Sequence, residues 1–139
     1  MKGYQVVAME KFASIDLGAA AKKLGICLTT HTAELTAATM PVAGNTQPYG
    51  LLHGGASALL AETVASAAAS VWAQQHGKLA VGTNLSITHL KAVTTGEVTG
   101  VAKAMHLGTR TACYTVEITQ GDTLVAWAQV STQLVEKRS

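Results

Sequence analysis

Between Gly54 and Gly77 only one side chain carries a formal charge, His76 set aside, and it is the carboxylate of Glu62. Moving an unpaired carboxylate from water into a run of alanine, leucine and valine is costly, so an acid kept there points to general-base or nucleophilic work. The plain alternative is an acid that faces solvent or an internal salt bridge, yet few cations lie near it in sequence. Ser66 and Ser70 follow Glu62 at intervals of four, which on a helix sets them over the same face, with Ala58 and Ala65 beside them. Ser66 can reach the carboxylate, a water molecule, or the backbone of its own helix. Upstream stands His53-Gly54-Gly55. A helix start offers unpaired N–H groups and a positive dipole end, and a glycine there lets a carbonyl oxygen approach closely, as an oxyanion donor must. The same tripeptide also suits a simple turn.

Gly54 and Glu62 are eight residues apart in sequence. On one straight helix that is about 12 Å, too far for both to act on one carbonyl. Two copies of the helix packed antiparallel would set Glu62 of one copy beside Gly54 of the other, forming two equivalent sites. The small residues flanking Glu62 would permit such an approach.

The elements that must hold these residues follow from apolar spacing and punctuation. Residues 15–24 read as a short helix, with Ser14 as a cap and Gly25 as its stop. Residues 26–30 and 33–41 read as strands meeting near His31, and the stretch from Ala43 to Gly50 reads as loop, a common place for sites. A helix over about residues 55–75, apolar on every side and therefore expected to be buried all round, ends at His76-Gly77. Residues 79–92, 97–106, 111–119 and 123–135 read as four strands in hairpins. The expected layout is α+β, an antiparallel sheet curled around one long helix.

With 139 residues the chain suits one domain. Charged residues make up only 13% and apolar ones 48%, an oily balance that implies surface covered by other subunits. The net charge of +2 comes from scattered Lys and Arg, which argues against nucleic acid as a partner. Cys27 and Cys113 lack metal or redox spacing and read as reduced, mostly buried thiols, while Trp72 and Trp127 read as core. Neither a signal peptide nor an uninterrupted membrane span is legible, so a cytoplasmic protein without a membrane partner is expected.

The run Gln47-Pro48-Tyr49-Gly50-Leu51-Leu52-His53-Gly54-Gly55, continued by Ala61-Glu62, resembles the signature of hot-dog-fold acyl-CoA thioesterases. Over about residues 23–135 the chain is most similar to the 1,4-dihydroxy-2-naphthoyl-CoA and 4-hydroxybenzoyl-CoA thioesterases whose catalytic residue is Glu. The resemblance implies a hot-dog fold, Glu62 as nucleophile or general base, the Gly54 N–H as oxyanion donor, Gln47 and His53 holding the thioester, and Ser66 assisting Glu62 or its water. It also assigns the CoA part of the substrate to Gly82, His89, Lys91, His106, Gly108, Thr109 and Arg110. By their residues alone, His89 and Lys91 share a strand face and His106 and Arg110 flank a turn, where phosphate can be received. Relatives often carry Arg at the position of Lys91; lysine keeps the charge and loses the bidentate fork.

The expected activity is hydrolysis of an aromatic acyl-CoA, with CoA entering as substrate and no cofactor or metal, in a homotetramer built as a dimer of dimers. The rivals are a hydratase or dehydratase of acyl thioesters, whose loop histidine and Met-Pro-Gly run are replaced here by Thr46-Gln47-Pro48-Tyr49, and an acyl-CoA or lipid-binding module without turnover.

Overall fold

The computed structural model describes Lys11, Phe12 and residues 14–138. Helix α1, Ala19–Leu24, is shorter than the sequence reading, and Ser14 lies outside it; Gly18 occupies the cap position without a side-chain bond. The Asp16 carboxylate instead accepts the Gly18 N–H at 2.7 Å, holding the approach non-helical. The expected stop is present. Gly25 adopts φ 76°, open to glycine at little cost, and donates its N–H to the Lys22 carbonyl while Ile26 donates to Ala21.

Strands β1 (Cys27–His31) and β2 (Leu35–Pro41) precede the long helix α2 (Gly54–Gln75), and β3 (Lys78–His89), β4 (Glu97–Leu107), β5 (Thr111–Gln120) and β6 (Thr123–Glu136) follow it. They form one six-stranded antiparallel sheet in the order β1-β2-β4-β5-β6-β3, across which α2 lies. β4, β5 and β6 are joined as hairpins, but β3 is not. It pairs with β6 from Lys78 opposite Glu136 to His89 opposite Ala126, which makes it an edge of the sheet. The returning link to β4 is tied to the loop before α2, where Leu52 donates to the Val93 carbonyl and Val42 to that of Gly96.

The core lies between α2 and the sheet. Leu60, Val64, Ala61 and Ala65 of the helix pack in one cluster with Val98, Tyr114, Val116, Ile118 and Val130 of the strands, and burying a side chain such as Leu60 stabilises the fold by roughly 1.5–3 kcal/mol. Alanines keep the helix close to the sheet. A methyl group on Gly100 would stand 3.0 Å from Leu60 Cγ, so the bare glycine lets the leucine pack closely on the strand. Tyr114 is fully buried, and its hydroxyl donates to the Ala33 carbonyl at 2.7 Å. Burial pushes the phenol well above its usual range, and the nearby Glu34 and Cys113 push it the same way.

Three expectations about burial are corrected. Helix α2 is not buried all round: Glu62, Gln74 and Gln75 are exposed and Thr63, Ser66 and Ser70 half-buried, because the sheet covers only part of its circumference. Trp127 is 39% exposed, since it points away from the helix on the outer sheet face. Both cysteines are free and half-buried. By length and composition α2 could cross a bilayer, at a mean hydropathy of 1.3, but its apolar residues are spent on the sheet.

Candidate active site

The loop before α2 has no regular structure, yet it is closely tied. Asn45 donates through its side-chain amide to the carbonyls of Leu24 and Pro41, both at 2.8 Å, and its own carbonyl accepts the His53 N–H at 2.9 Å. Gln47 accepts the N–H groups of Tyr49 and Leu51 on Oε1 at 2.6 and 3.2 Å, leaving its amide nitrogen as a donor. These bonds fix the approach to the helix start.

At that start His53 is the cap residue, extended at ψ 129°, and its Nδ1 accepts the Gly55 N–H at 2.8 Å. The Ala56 and Ser57 N–H groups go to the His53 carbonyl. Among the described residues the Gly54 N–H has no partner, which leaves it available to an outside acceptor at the positive end of a 22-residue helix. A cleft of about 380 Å³ opens beside it, walled by Gln47, Gly54, Ser57, His89 and Lys91 among others. A larger cavity of about 430 Å³, bounded by Phe12, Ile15 and Leu28, touches none of these residues.

Helix α2 and strand β3 run side by side and exchange contacts at two glycines. A Cβ on Gly54 would lie 2.9 Å from Nε2 of His89, so the imidazole rests on the helix start. Further along, a Cβ on Gly82 would lie 2.8 Å from Oε1 of Glu62, so the carboxylate rests on the edge strand. The Glu62 carboxylate is exposed and has no hydrogen-bond or ion-pair partner among the described residues. Ser66 is one turn on from it; no bond joins the two, and the Ser66 carbonyl accepts the Ser70 hydroxyl at 2.8 Å.

The structure therefore divides the expected residues into three places. Gln47, His53, Gly54, His89 and Lys91 gather at the N-terminal end of α2, and Glu62, Ser66 and Gly82 lie midway along it. His106, Gly108, Thr109 and Arg110 stand at the other end, in and before the turn between β4 and β5. There Trp72 Nε1 donates to the Gly108 carbonyl at 2.7 Å and Lys78 Nζ to that of Thr109 at 3.2 Å. The length of the helix separates the two cationic groups by roughly 30 Å. Sequence reasoning overlooked Ser57, buried in the cleft wall, and the anchoring role of Asn45. Ser57 was findable three residues beyond Gly54 on the same helix face; Asn45 looked like ordinary loop.

An antiparallel sheet laid across one long helix, with a cleft at the helix start, is the hot-dog fold, and the chain belongs to the thioesterase superfamily, whose family model matches residues 49–130. It is a thioester hydrolase. The proofreading thioesterase EntH of Cronobacter sakazakii is 42% identical over 113 residues, covering 81% of this chain and 82% of that protein. Among solved structures, a glutamine-to-alanine mutant of a Pseudomonas aeruginosa thioesterase superposes with a TM-score of 0.83 at 30% identity, covering 91% of this chain and 93% of that one. The Escherichia coli PaaI protein from the phenylacetic acid degradation operon gives a TM-score of 0.77 at 26% identity, covering 96% and 94%.

Proposed function

We propose that the chain hydrolyses an acyl-CoA thioester at a site shared by two copies, with the Gly54 N–H of one copy polarising the carbonyl and Glu62 of the other acting on it. The observation that carries this reading is the separation of the two groups. The unpartnered N–H and the bare carboxylate lie about 12 Å apart on one helix, and the carboxylate stands beside an unpaired strand edge where a second copy can approach. A two-fold axis beside β3 brings the groups together and also carries the His106–Arg110 end of one copy toward His89 and Lys91 of the other, so that the CoA phosphates meet both.

Gln47 and His53 hold the thioester oxygen and its neighbourhood, and Ser66 assists Glu62 or its water. Two routes are open. In one, a Glu62 oxygen bonds to the thioester carbon, the C–S bond breaks, the thiolate leaves and takes up a proton, and water hydrolyses the mixed anhydride. In the other, Glu62 removes a proton from water as it attacks, and the tetrahedral intermediate expels the thiolate. Rapid quenching followed by mass analysis of Glu62 separates them, since only the first acylates the chain. The sequence likeness to aryl-CoA thioesterases favours an aromatic acyl group, and the PaaI protein's origin in a phenylacetic acid operon points the same way. No cofactor enters either route, and two such dimers pair as a tetramer.

The test is free-thiol release from aryl-CoA, fatty acyl-CoA and enoyl-CoA substrates by wild type and Glu62→Gln. The variant is expected to lose about 10²–10⁴ in turnover with aryl-CoA as the preferred substrate. Undiminished thiol release by the variant would remove Glu62 from the chemistry.

A further inference from the structure

We infer that Gly82 is a positioning residue for the Glu62 carboxylate, an inference that rests on the reading of Glu62 as the acting group. Glycine inside a strand weakens it relative to alanine, so it calls for a reason. Backbone conformation does not supply one. Gly82 is absent from the glycines with positive φ and pairs with Thr132 in the ordinary antiparallel register. Space supplies it. A Cβ at this position would stand 2.8 Å from Glu62 Oε1 and 3.8 Å from Glu62 Cδ, and among the described residues it would meet no other atom within 4 Å beyond its chain neighbours. Within the described chain the missing carbon lets the Glu62 carboxylate lie against the strand.

The strand is shaped for this immediately afterwards. Its register with β6 breaks between Gly82 and Asn84, leaving Thr83 outside the pairing with its hydroxyl donating to the Ser131 carbonyl at 3.2 Å. Such a bulge bends and twists the strand locally, and bulges are common where a side chain must be aimed. Among the described residues no donor holds the carboxylate, and the strand at Gly82 is the surface against which it lies. A methyl group there would push a flexible side-chain end aside without colliding with the core, so it should move the acid and leave the fold.

The experiment is a cycle of Gly82→Ala, Glu62→Asp and the double variant, read by kcat, KM, thermal unfolding and assembly mass. Gly82→Ala is expected to lower kcat about 10–100-fold with KM changed by less than about 3-fold, because displacement of an acting group by about 1 Å acts on the chemical step. Aspartate withdraws the carboxylate from the methyl group, so the double variant should lose clearly less than the product of the two single losses. Wild-type kcat in Gly82→Ala, or losses that multiply, would overturn the assignment. Should Gly82→Ala fail to fold, Glu62→Ala/Gly82→Ala recovers folding if the carboxylate is the obstacle, and failure of both overturns it. Loss of activity in Glu62→Gln with a normal Gly82→Ala sinks this inference alone, whereas full activity in Glu62→Gln sinks the reading beneath it.

Discussion

The two edges of the sheet are built differently. β1 spans five residues, its register with β2 breaks between Leu28 and Thr30, and Leu28 is buried. His31 at its end lies 2.9 Å from the Ala67 carbonyl, to which it can donate, and packs edge-on against Phe12. A short, irregular, tied-down edge resists further pairing. β3 spans twelve residues, none of them buried, with Leu79 at 48% and Val81 at 51% exposure. Natural proteins rarely leave so long an apolar edge bare without a partner for it. The candidate acid lies against the bare edge, and among the described residues no carboxylate is seated in the same way against the closed one. The lesson concerns the proposed function: its acid lies at the edge that a second copy would pair with, and under that reading assembly completes the site.

The sharpest way to break that contrast is to charge the bare edge. Val81→Lys/Asn84→Lys sets like charges close together across a two-fold pairing and should yield monomers by light scattering, with turnover reduced by about 10³ because donor and acid no longer meet. Thr29→Lys on β1 should leave mass and turnover near wild type. Equal loss of assembly from both edges would erase the distinction.

A smaller effect tests which parts belong to one copy. Gly54→Ala sets a methyl group against the His89 ring and should cost about 10² in kcat/KM by disturbing the oxyanion end. Mixing and re-associating this variant with Glu62→Gln should then restore about a quarter of wild-type activity, since half of randomly formed dimers are mixed and each holds one intact site. No recovery on mixing would place both groups in one subunit's site. The smallest effect falls between the edges, at Tyr114. Because burial raises its pKa, the fold favours the protonated phenol; this contribution is present below the unfolded value of about 10 and is lost as pH rises above it. Tyr114→Phe should cost about 1–2 kcal/mol in urea unfolding at pH 8 and flatten the further decline between pH 10 and 12, with turnover unchanged.

The elements were legible because their ends are chemically marked. Gly25, His76-Gly77 and Gly121 each stop an element close to where the sequence reading placed it, and Gly96 stands directly before β4, whereas β3 ends at His89, short of the expected 92. The neighbour of β3 was not legible: alternation defines a strand's faces but says nothing about whether it pairs with β4 or β6, a non-local choice. An alanine-rich helix likewise looks apolar on every side, so burial all round was expected, although Glu62, Ser66 and Ser70 already marked the stripe that the sheet leaves open. The 12 Å separation of Gly54 and Glu62 was legible, because helical rise depends on spacing alone. The seats of His89 on Gly54 and of Glu62 on Gly82 were not, since they arise from the packing of two elements.

Asn45 carries a consequence for how the molecule can change. Its amide holds α1 and β2 together while its carbonyl fixes His53, so the tract from Thr46 to Leu52 is suspended between two fixed points, with Tyr49 at its exposed tip. The exposed Tyr49 can therefore be exchanged, and the outer lip of the loop reshaped, while the mount that orients Gly54 stays still.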